Sequence, residues 1–366
     1  MRHCPVLLAV LAILPLVPAR AQTALPPLVV TATAVPTPTG DIPAGVTVIT
    51  SAQMRARGDN TLTDALADVP GLRVSQSGGP GGNASVFIRG ANSDGVLVLR
   101  DGMPINDAAD ASGAFNFGVD TLADVARIEI IRGPMAALYG SGAIGGVINI
   151  ITLRGTAPGL HSRLDLAGGY PAQIRAAATL TGTGSGFDYA LVLQSESQRG
   201  FDTTPRRMTI YTGTPQGYRA QLVTLNLGYR PIAGTRLSLL LRGRRAVFGF
   251  NALGSPTYDV ANSTGRDATL LGRIGLRSFL FGGLWRTALR LGREQQDRRY
   301  SEPLLPGDPN QAFNDSRYHG YRTDLQWNNT LFLSRLLPPS FLRGAALTFG
   351  YERTADTAKV RVNSSY

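Results

Sequence analysis

The sequence predicts a small α+β domain over residues 41–152, followed by an antiparallel transmembrane β-barrel segment of about nine strands over residues 153–366. Three observations carry this expectation. Past the N-terminal segment there is no run of about 18 apolar residues, which excludes a helical membrane protein. Yet the chain is 43% hydrophobic, only 17% charged and holds 43 glycines. From His161 onward, apolar and polar residues alternate with period two, the signature of a sheet with two unlike faces. Long polar links alternate with short ones, as in outer-membrane barrels.

The elements follow in chain order. Arg2 and His3 precede an apolar run from Pro5 to Pro18, which ends at Ala19-Arg20-Ala21. Residues 1–21 therefore read as a secretory signal peptide with an A-x-A cleavage site. The run is shorter than the roughly 20 residues a bilayer span needs. Cys4, the single cysteine, precedes that run, so the mature chain from Gln22 has no thiol, disulfide or thiolate metal site. Residues 22–40 hold the β-prone hexapeptide Leu28-Val29-Val30-Thr31-Ala32-Thr33 between proline-containing flanks. Such a segment suits strand addition to another protein's sheet edge, or an ordinary first strand of the next domain.

Within residues 41–152 the most informative stretch begins at Arg127-Ile128-Glu129-Ile130-Ile131-Arg132-Gly133-Pro134 and runs through Leu138-Tyr139-Gly140 to Gly146-Val147-Ile148-Asn149-Ile150-Ile151-Thr152. It reads as an apolar strand, a Gly-Pro break, one amphipathic turn, a glycine corner and a second β-branched strand. Gly140-Ser141-Gly142-Ala143-Ile144-Gly145 matches G-x-G-x-x-G, but a strand follows where a dinucleotide site needs a helix. Gln76 to Asn83 is a glycine-rich loop without G-K-[ST], so it is no phosphate cradle. Its backbone, with Gln76, Ser77 and Asn83, suits hydrogen bonding to a large polar ligand. Asp101-Gly102 reads as a turn. Arg89, Glu129 and Arg132 sit on otherwise apolar strands, and buried charge needs a partner. They are expected to lock this domain to a surrounding wall.

In residues 153–366, Leu237, Leu239, Leu241 and Gly243 oppose Arg236, Ser238, Arg242 and Arg244. Ala268, Leu270, Ile274, Leu276 and Leu280 alternate with Asp267, Thr269, Arg273 and Arg277, and Tyr321, Thr323, Leu325 and Trp327 oppose Arg322, Asp324, Gln326 and Asn328. The apolar face meets lipid in a barrel, or another sheet in a secreted soluble sandwich. Long links are expected at Gln198 to Tyr218, Val247 to Arg266 and Asp297 to Arg317. Short ones fall at Pro231 to Gly234, Phe281 to Gly283 and Ser334 to Ser340, with turns near Gly169 and Gly182. The net charge is +11 with Lys359 the single lysine. Its arginines scatter along polar strand faces without forming a basic patch, so no nucleic-acid partner is expected. His161 and His319 lie far apart without carboxylate spacing, and no nucleophile, metal or paired-carboxylate constellation stands out, so neither enzyme chemistry, a metal site nor a cofactor is expected.

The run from Arg127 to Thr152 closely resembles the end of the plug domain of TonB-dependent outer-membrane receptors. Leu62-Thr63-Asp64-Ala65-Leu66, Val69-Pro70-Gly71, Phe87-Ile88-Arg89-Gly90 and Val96-Leu97-Val98-Leu99-Arg100-Asp101-Gly102 resemble the preceding plug motifs in the family's order. The resemblance spans roughly Leu28 to Thr152 and is strongest to the cobalamin-receptor branch. It implies that Leu28, Val29, Val30, Thr31, Ala32 and Thr33 form the TonB box, pulled by a TonB-type energy-coupling protein in the periplasm. It further implies that two plug loops meet substrate, one with Gln76, Ser77, Gly78, Gly79 and Asn83, the other with Asn106, Asp107, Asp110 and Ser112. The arginines at the two RG positions, Arg89 and Arg132, would pair with barrel glutamates. Arg100 departs from the family's apolar residue. The clustered aspartates of the cobalamin branch's calcium loops are missing too, with Asp202 the lone acid between Gln198 and Tyr218, so an iron–siderophore chelate or another large chelate competes with cobalamin. The implied setting is the bacterial outer membrane and its lipid. The family's barrel has about 22 strands, whereas nine strands ending outward in 214 residues after Thr152 are expected to be a C-terminally truncated barrel. A transport-inactive receptor fragment is the alternative.

Overall fold

The computed structural model describes residues 28–29, 37–38, 45–208, 211, 213–250, 263–303, 313–335 and 345–365. The expected signal peptide lies outside them. Two-residue strands β1 (Leu28–Val29) and β2 (Thr37–Pro38) pair antiparallel. Of the expected coupling hexapeptide, residues 30–33 lie outside the described residues.

An inner domain follows. β3 (Gly45–Thr50) runs into helix α1 (Ser51–Arg57), where Thr50 and Gln53 form a capping box and Gly58 closes the C-terminus in the left-handed region. Helix α2 (Leu62–Ala67) starts the same way, from Thr61 and Asp64. β4 (Leu72–Gln76) and β5 (Ala84–Ile88) form a hairpin. β6 (Val96–Arg100), β7 (Met103–Pro104), β8 (Val125–Arg132) and β9 (Gly146–Thr152) join β3 in a mixed sheet of order β3-β8-β9-β6-β7, and α3 (Ala136–Tyr139) is the single turn between β8 and β9. Asp101 and Gly102, both at positive φ, make the two-residue β6–β7 turn, as a tight hairpin requires. β6, β8 and β9 carry buried apolar residues on both faces, because both are covered, with Glu129 and Asn149 among the buried polar exceptions. Ile128, Ile130, Ile148 and Ile150 pack with Leu62 and Leu66 of α2, while Leu97, Leu99 and Val147 pack with Met135 and Tyr139 around α3.

Among the described residues, nine long antiparallel strands follow in sequence order and form one open wall against this domain. They are β10 (Gly159–Gly169), β11 (Gln173–Gly184), β12 (Phe187–Gln198), β13 (Tyr218–Tyr229), β14 (Thr235–Gly249), β15 (Thr264–Leu280), β16 (Trp285–Glu302), β17 (Phe313–Leu331) and β18 (Leu347–Arg361). A two-residue strand, β19 (Ser364–Ser365), adds to β17. The expected strand count and long-link pattern hold. The long connection 199–217 lies at the same end as 250–263 and 303–312, while the short ones 185–186, 230–234 and 281–284 lie at the other. One expectation is corrected: the β17–β18 connection spans 332–346, longer than the short link placed at Ser334 to Ser340, because β17 ends at Leu331 and β18 starts only at Leu347.

The alternation is borne out face by face. Arg242, Arg244, Asp267, Arg322, Asp324 and Gln326 are buried against the inner domain, while Leu237, Leu241, Leu270, Ile274, Leu276 and Trp327 are exposed on the outside. Among the described residues no second sheet covers that apolar face. Leu240 and Leu271 of the wall complete the inner domain's core.

Candidate ligand-binding site at the domain apex

At the long-loop end, a cavity of about 960 Å³ opens between the inner domain and the wall. Its floor is built by the β4–β5 loop through Ser77, Gly78 and Asn83 and by the loop after β7 through Asp110, Ser112, Phe115 and Asn116. The structure thus brings together five residues expected of a ligand site. The others take supporting positions. Gln76 Nε2 donates to the Gly79 carbonyl at 2.9 Å, and Gly79 N–H donates to Gln216 Oε1 of the wall at 3.1 Å. Asn106 serves the backbone: its Oδ1 accepts from Val98 N–H and its Nδ2 donates to the carbonyls of Val96 and Gly113. Asp107 accepts from Ala109 N–H and pairs with Arg298 at 2.7 Å. Burial is the largest influence on Asp107 and pushes its carboxyl up, against the pull of Arg298.

The wall side was missed by sequence reasoning. Phe248, Phe250, Arg298, Tyr300 and Tyr318 line it, with Thr203 and Gln216 from the β12–β13 connection. Tyr300 stands edge-on to Phe248, Phe250 and Tyr318, at centroid distances of 6.3, 5.7 and 6.1 Å. The Arg298 guanidinium lies 4.9 Å over the Tyr318 ring. These residues come from three strands whose outer ends converge only through register. The available signal was their place at strand ends facing inward by parity. Gly81 seals the floor: at φ +81°, an added Cβ would stand 2.5 Å from the Tyr218 ring and 2.8 Å from Phe248 Cβ.

Among the described contacts, the charged fastening between domain and wall runs through other residues than Arg89, Glu129 and Arg132. The described contacts of Arg132 are the Gly45 and Pro70 carbonyls. Arg89 lies beside Gly45 and Gly71, and one partner of Glu129 is Arg127 at 2.7 Å, contacts that lie inside the domain. The reason is topological: Arg132 ends β8 next to β3, at the sheet end away from β6 and β7. The wall is instead held by acids of the domain and arginines of the barrel. Arg242 holds Asp120 and, through Nε at 2.7 Å, Asp124; Arg100 reaches the same two carboxylates at 2.6 and 3.5 Å. The departure at Arg100 thus has its partners. Thr224 Oγ1 donates to Asp124 at 2.8 Å, Arg322 Nη1 to the Asn106 carbonyl at 2.6 Å and Gln326 Nε2 to the Gly102 carbonyl at 2.9 Å. For Asp120, burial pushes upward, but Arg242, Arg100 and Arg244 outweigh it and hold the carboxyl well below the usual range. Asp101 is lowered likewise, burial being outweighed by Arg154, Arg273 and Thr152.

Two further expectations are corrected. His319 Nδ1 lies 2.5 Å from Asp297 Oδ1, its direct cross-strand neighbour, a pairing that sequence spacing cannot show. The arginines also do not scatter, since register gathers several at the short-connection end of the wall.

Comparison with known proteins fits this geometry. Residues 38–147 match the TonB-dependent receptor plug domain. Over 195 residues, 53% of the chain, it is 40% identical to the vitamin B12 transporter BtuB of Vibrio vulnificus, of whose length it covers 31%. In fold it is similar to the ferric yersiniabactin uptake receptor FyuA from Yersinia pestis, with TM-score 0.69 at 18% identity over 88% of this chain and 50% of that one. The pyoverdine outer membrane receptor FpvA from Pseudomonas aeruginosa gives TM-score 0.70 at 16% identity, over 93% of this chain and 50% of that one. The chain thus spans about a third of the curated relative and half of the solved ones. Residues 38–147 thus match a TonB-dependent receptor plug domain, and the chain as a whole is similar in sequence to a vitamin B12 transporter and in fold to outer-membrane uptake receptors.

Proposed function

We propose that the mature protein acts in the bacterial outer membrane as a transporter. In this reading it binds a large scarce nutrient, cobalamin or an iron–siderophore chelate, at the plug apex. A TonB-type protein then pulls on Leu28 to Thr33 and rearranges the plug to admit the cargo. The observation that carries this reading is the apical cavity. At about 960 Å³ it lies at the top of the roughly 300–1,000 Å³ range of ligand sites. Polar plug loops form its floor and four aromatic rings of the wall its sides, an arrangement suited to a ligand with both polar arms and flat apolar faces. The apolar outer face of the wall supports a lipid setting.

The test separates binding from coupling. Cells carrying Val30→Pro are expected to bind labelled cyanocobalamin or a ferric chelate at the surface as the parent does, but to lose uptake, because proline blocks strand addition. Equal loss of binding and uptake would overturn the coupling role. Failure of the parent to bind any member of either class would overturn the substrate reading.

A further inference from the structure

A second cavity, of about 80 Å³, lies between plug and wall at the short-connection end. It is two to three times the roughly 30 Å³ that a water occupies in the liquid. Five arginines line it, Arg154, Arg236, Arg273, Arg277 and Arg290, against one carboxylate, Asp101. That carboxylate is already shared, at 3.2 Å with Arg154 and 3.8 Å with Arg273. Arg236 is already paired with Asp188, at 2.5 Å. Among the described residues, neither Arg277 nor Arg290 has a carboxylate within ion-pair reach; Arg290 donates only to the Gln326 amide, at 3.2 Å. Arg277 moreover stands directly opposite Arg236 across the β14–β15 ladder, a like-charge pair that costs stability unless something neutralises it. Gly275, opposite Arg290, leaves the floor open, since a Cβ there would stand 2.7 Å from Ser238 Oγ.

We propose that this basket is an anion-binding site for a single phosphate or carboxylate group, gripped by Arg277 and Arg290 with Arg154 and Arg236 at its rim. The planar guanidinium fork matches both oxyanions in bidentate fashion, and an anion supplies the charge that Asp101 alone does not. The basket faces the plug and not the apolar outer face, so its ligand is a soluble anion and not a lipid headgroup. The inference rests on the wall's inner face and does not depend on which cargo the apex takes.

Calorimetric titration of the purified mature protein with inorganic phosphate, in a nonionic detergent at low salt, tests it. Saturable uptake of one phosphate per chain is expected. Arg277→Gln/Arg290→Gln should weaken it by at least about tenfold, the loss of one charge-assisted bond, while Arg353→Gln, on the far strand β18, leaves it unchanged. Arg277→Gln alone, which gives up no described partner, decides the matter if the double variant does not fold. Absence of saturation, or affinity unchanged in these Gln variants, would overturn the site. Binding seen only with phosphatidylglycerol micelles would assign the basket to lipid and overturn the soluble-anion reading.

Discussion

Replacing Asp120 by Asn keeps the side chain's shape and deletes one charge from the centre of the plug–wall fastening. In the native structure Arg100 and Arg242 face Asp120 and Asp124, with side-chain exposures of 1%, 5%, 4% and 0%, so two positive and two negative groups cancel out of water's reach. Asp120→Asn leaves two guanidiniums on one carboxylate. Breaking a buried pair from one side costs about 3–5 kcal/mol, and the Asn oxygen can still accept a bond, so a loss near the lower end, about 3 kcal/mol, is expected. At about 1.4 kcal/mol per decade this is roughly a hundredfold change in the opening equilibrium of the plug. Hydrogen exchange on the detergent-solubilised protein reads it, with β8 and β9 amides losing about two decades of protection while β12 to β14 hold theirs. Adding Arg242→Gln to Asp120→Asn removes the surplus charge again, so the double variant should be less damaged than the sum of the singles by about 0.5–3 kcal/mol. Loss below about 1 kcal/mol, or strict additivity, would mean that water already screens these groups and that the fastening argument is wrong.

Other outcomes follow from the same geometry. Asp101 and Asp120 are both held below the ordinary carboxylate range, so the stability they contribute is complete above the unfolded value near 3.9 and is lost as pH falls through their folded values. Asp107, pushed up by burial, works the other way and offsets part of that loss where it protonates first. Plug amide protection followed from about pH 6 to about pH 3 should therefore fall only in the acid part of the range, and a flat profile would contradict it. Gly81→Ala forces a Cβ against Tyr218 and Phe248 at positive φ, and should destabilise the apical loop by about 1–3 kcal/mol and weaken ligand binding in an equilibrium assay. Tyr300→Ala removes the ring that three aromatic neighbours abut, and should lower ligand affinity about tenfold without altering plug protection; unchanged affinity would take the aromatic wall out of the site.

Much of the fold was legible because it is written in local pattern. Period-two alternation from Arg236 to Arg244 gives the inward and outward faces of β14 directly, and Asp101-Gly102 announces its turn. The apical loops carry their glycine, and five of the nine loop residues expected there line the cavity. What could not be read depends on pairing between strands far apart in sequence. Arg298 and Tyr318 are 20 positions apart, yet the β16–β17 register sets them directly opposite each other. The described contacts of Arg89, Glu129 and Arg132, which lie inside the domain, could not be read for the same reason. An isolated charge on an apolar strand demands a partner, but the strand pattern does not say whether the partner sits in the same domain. Arg100, on the same kind of strand, does face the wall arginines.

The chemistry of the plug–wall boundary bears on how the plug can rearrange at all. Among the described residues, apolar contact across it comes from Leu240 and Leu271 in the plug core and from Val119 against Tyr218, Ala220, Ala246 and Phe248, whereas much of the rest is hydrogen bonds and ion pairs from strands β12 to β17. An apolar seal of the same extent would resist opening in proportion to the whole area exposed, at about 25 cal/mol per Å². Polar contacts are individually worth only about 0.5–1.5 kcal/mol net, because water replaces each partner as it leaves. The exception is the cluster of Arg100, Asp120, Asp124 and Arg242, where one-sided loss is expensive. A pulled plug that moved its two acids away from Arg242 while keeping Arg100 with them would part a half of net charge −1, Arg100 with two carboxylates, from a half of net charge +1, Arg242, and both charges need water or counter-ions as they separate. Wetting of that contact therefore has to accompany plug movement, and the fastening resists displacement until solvent enters.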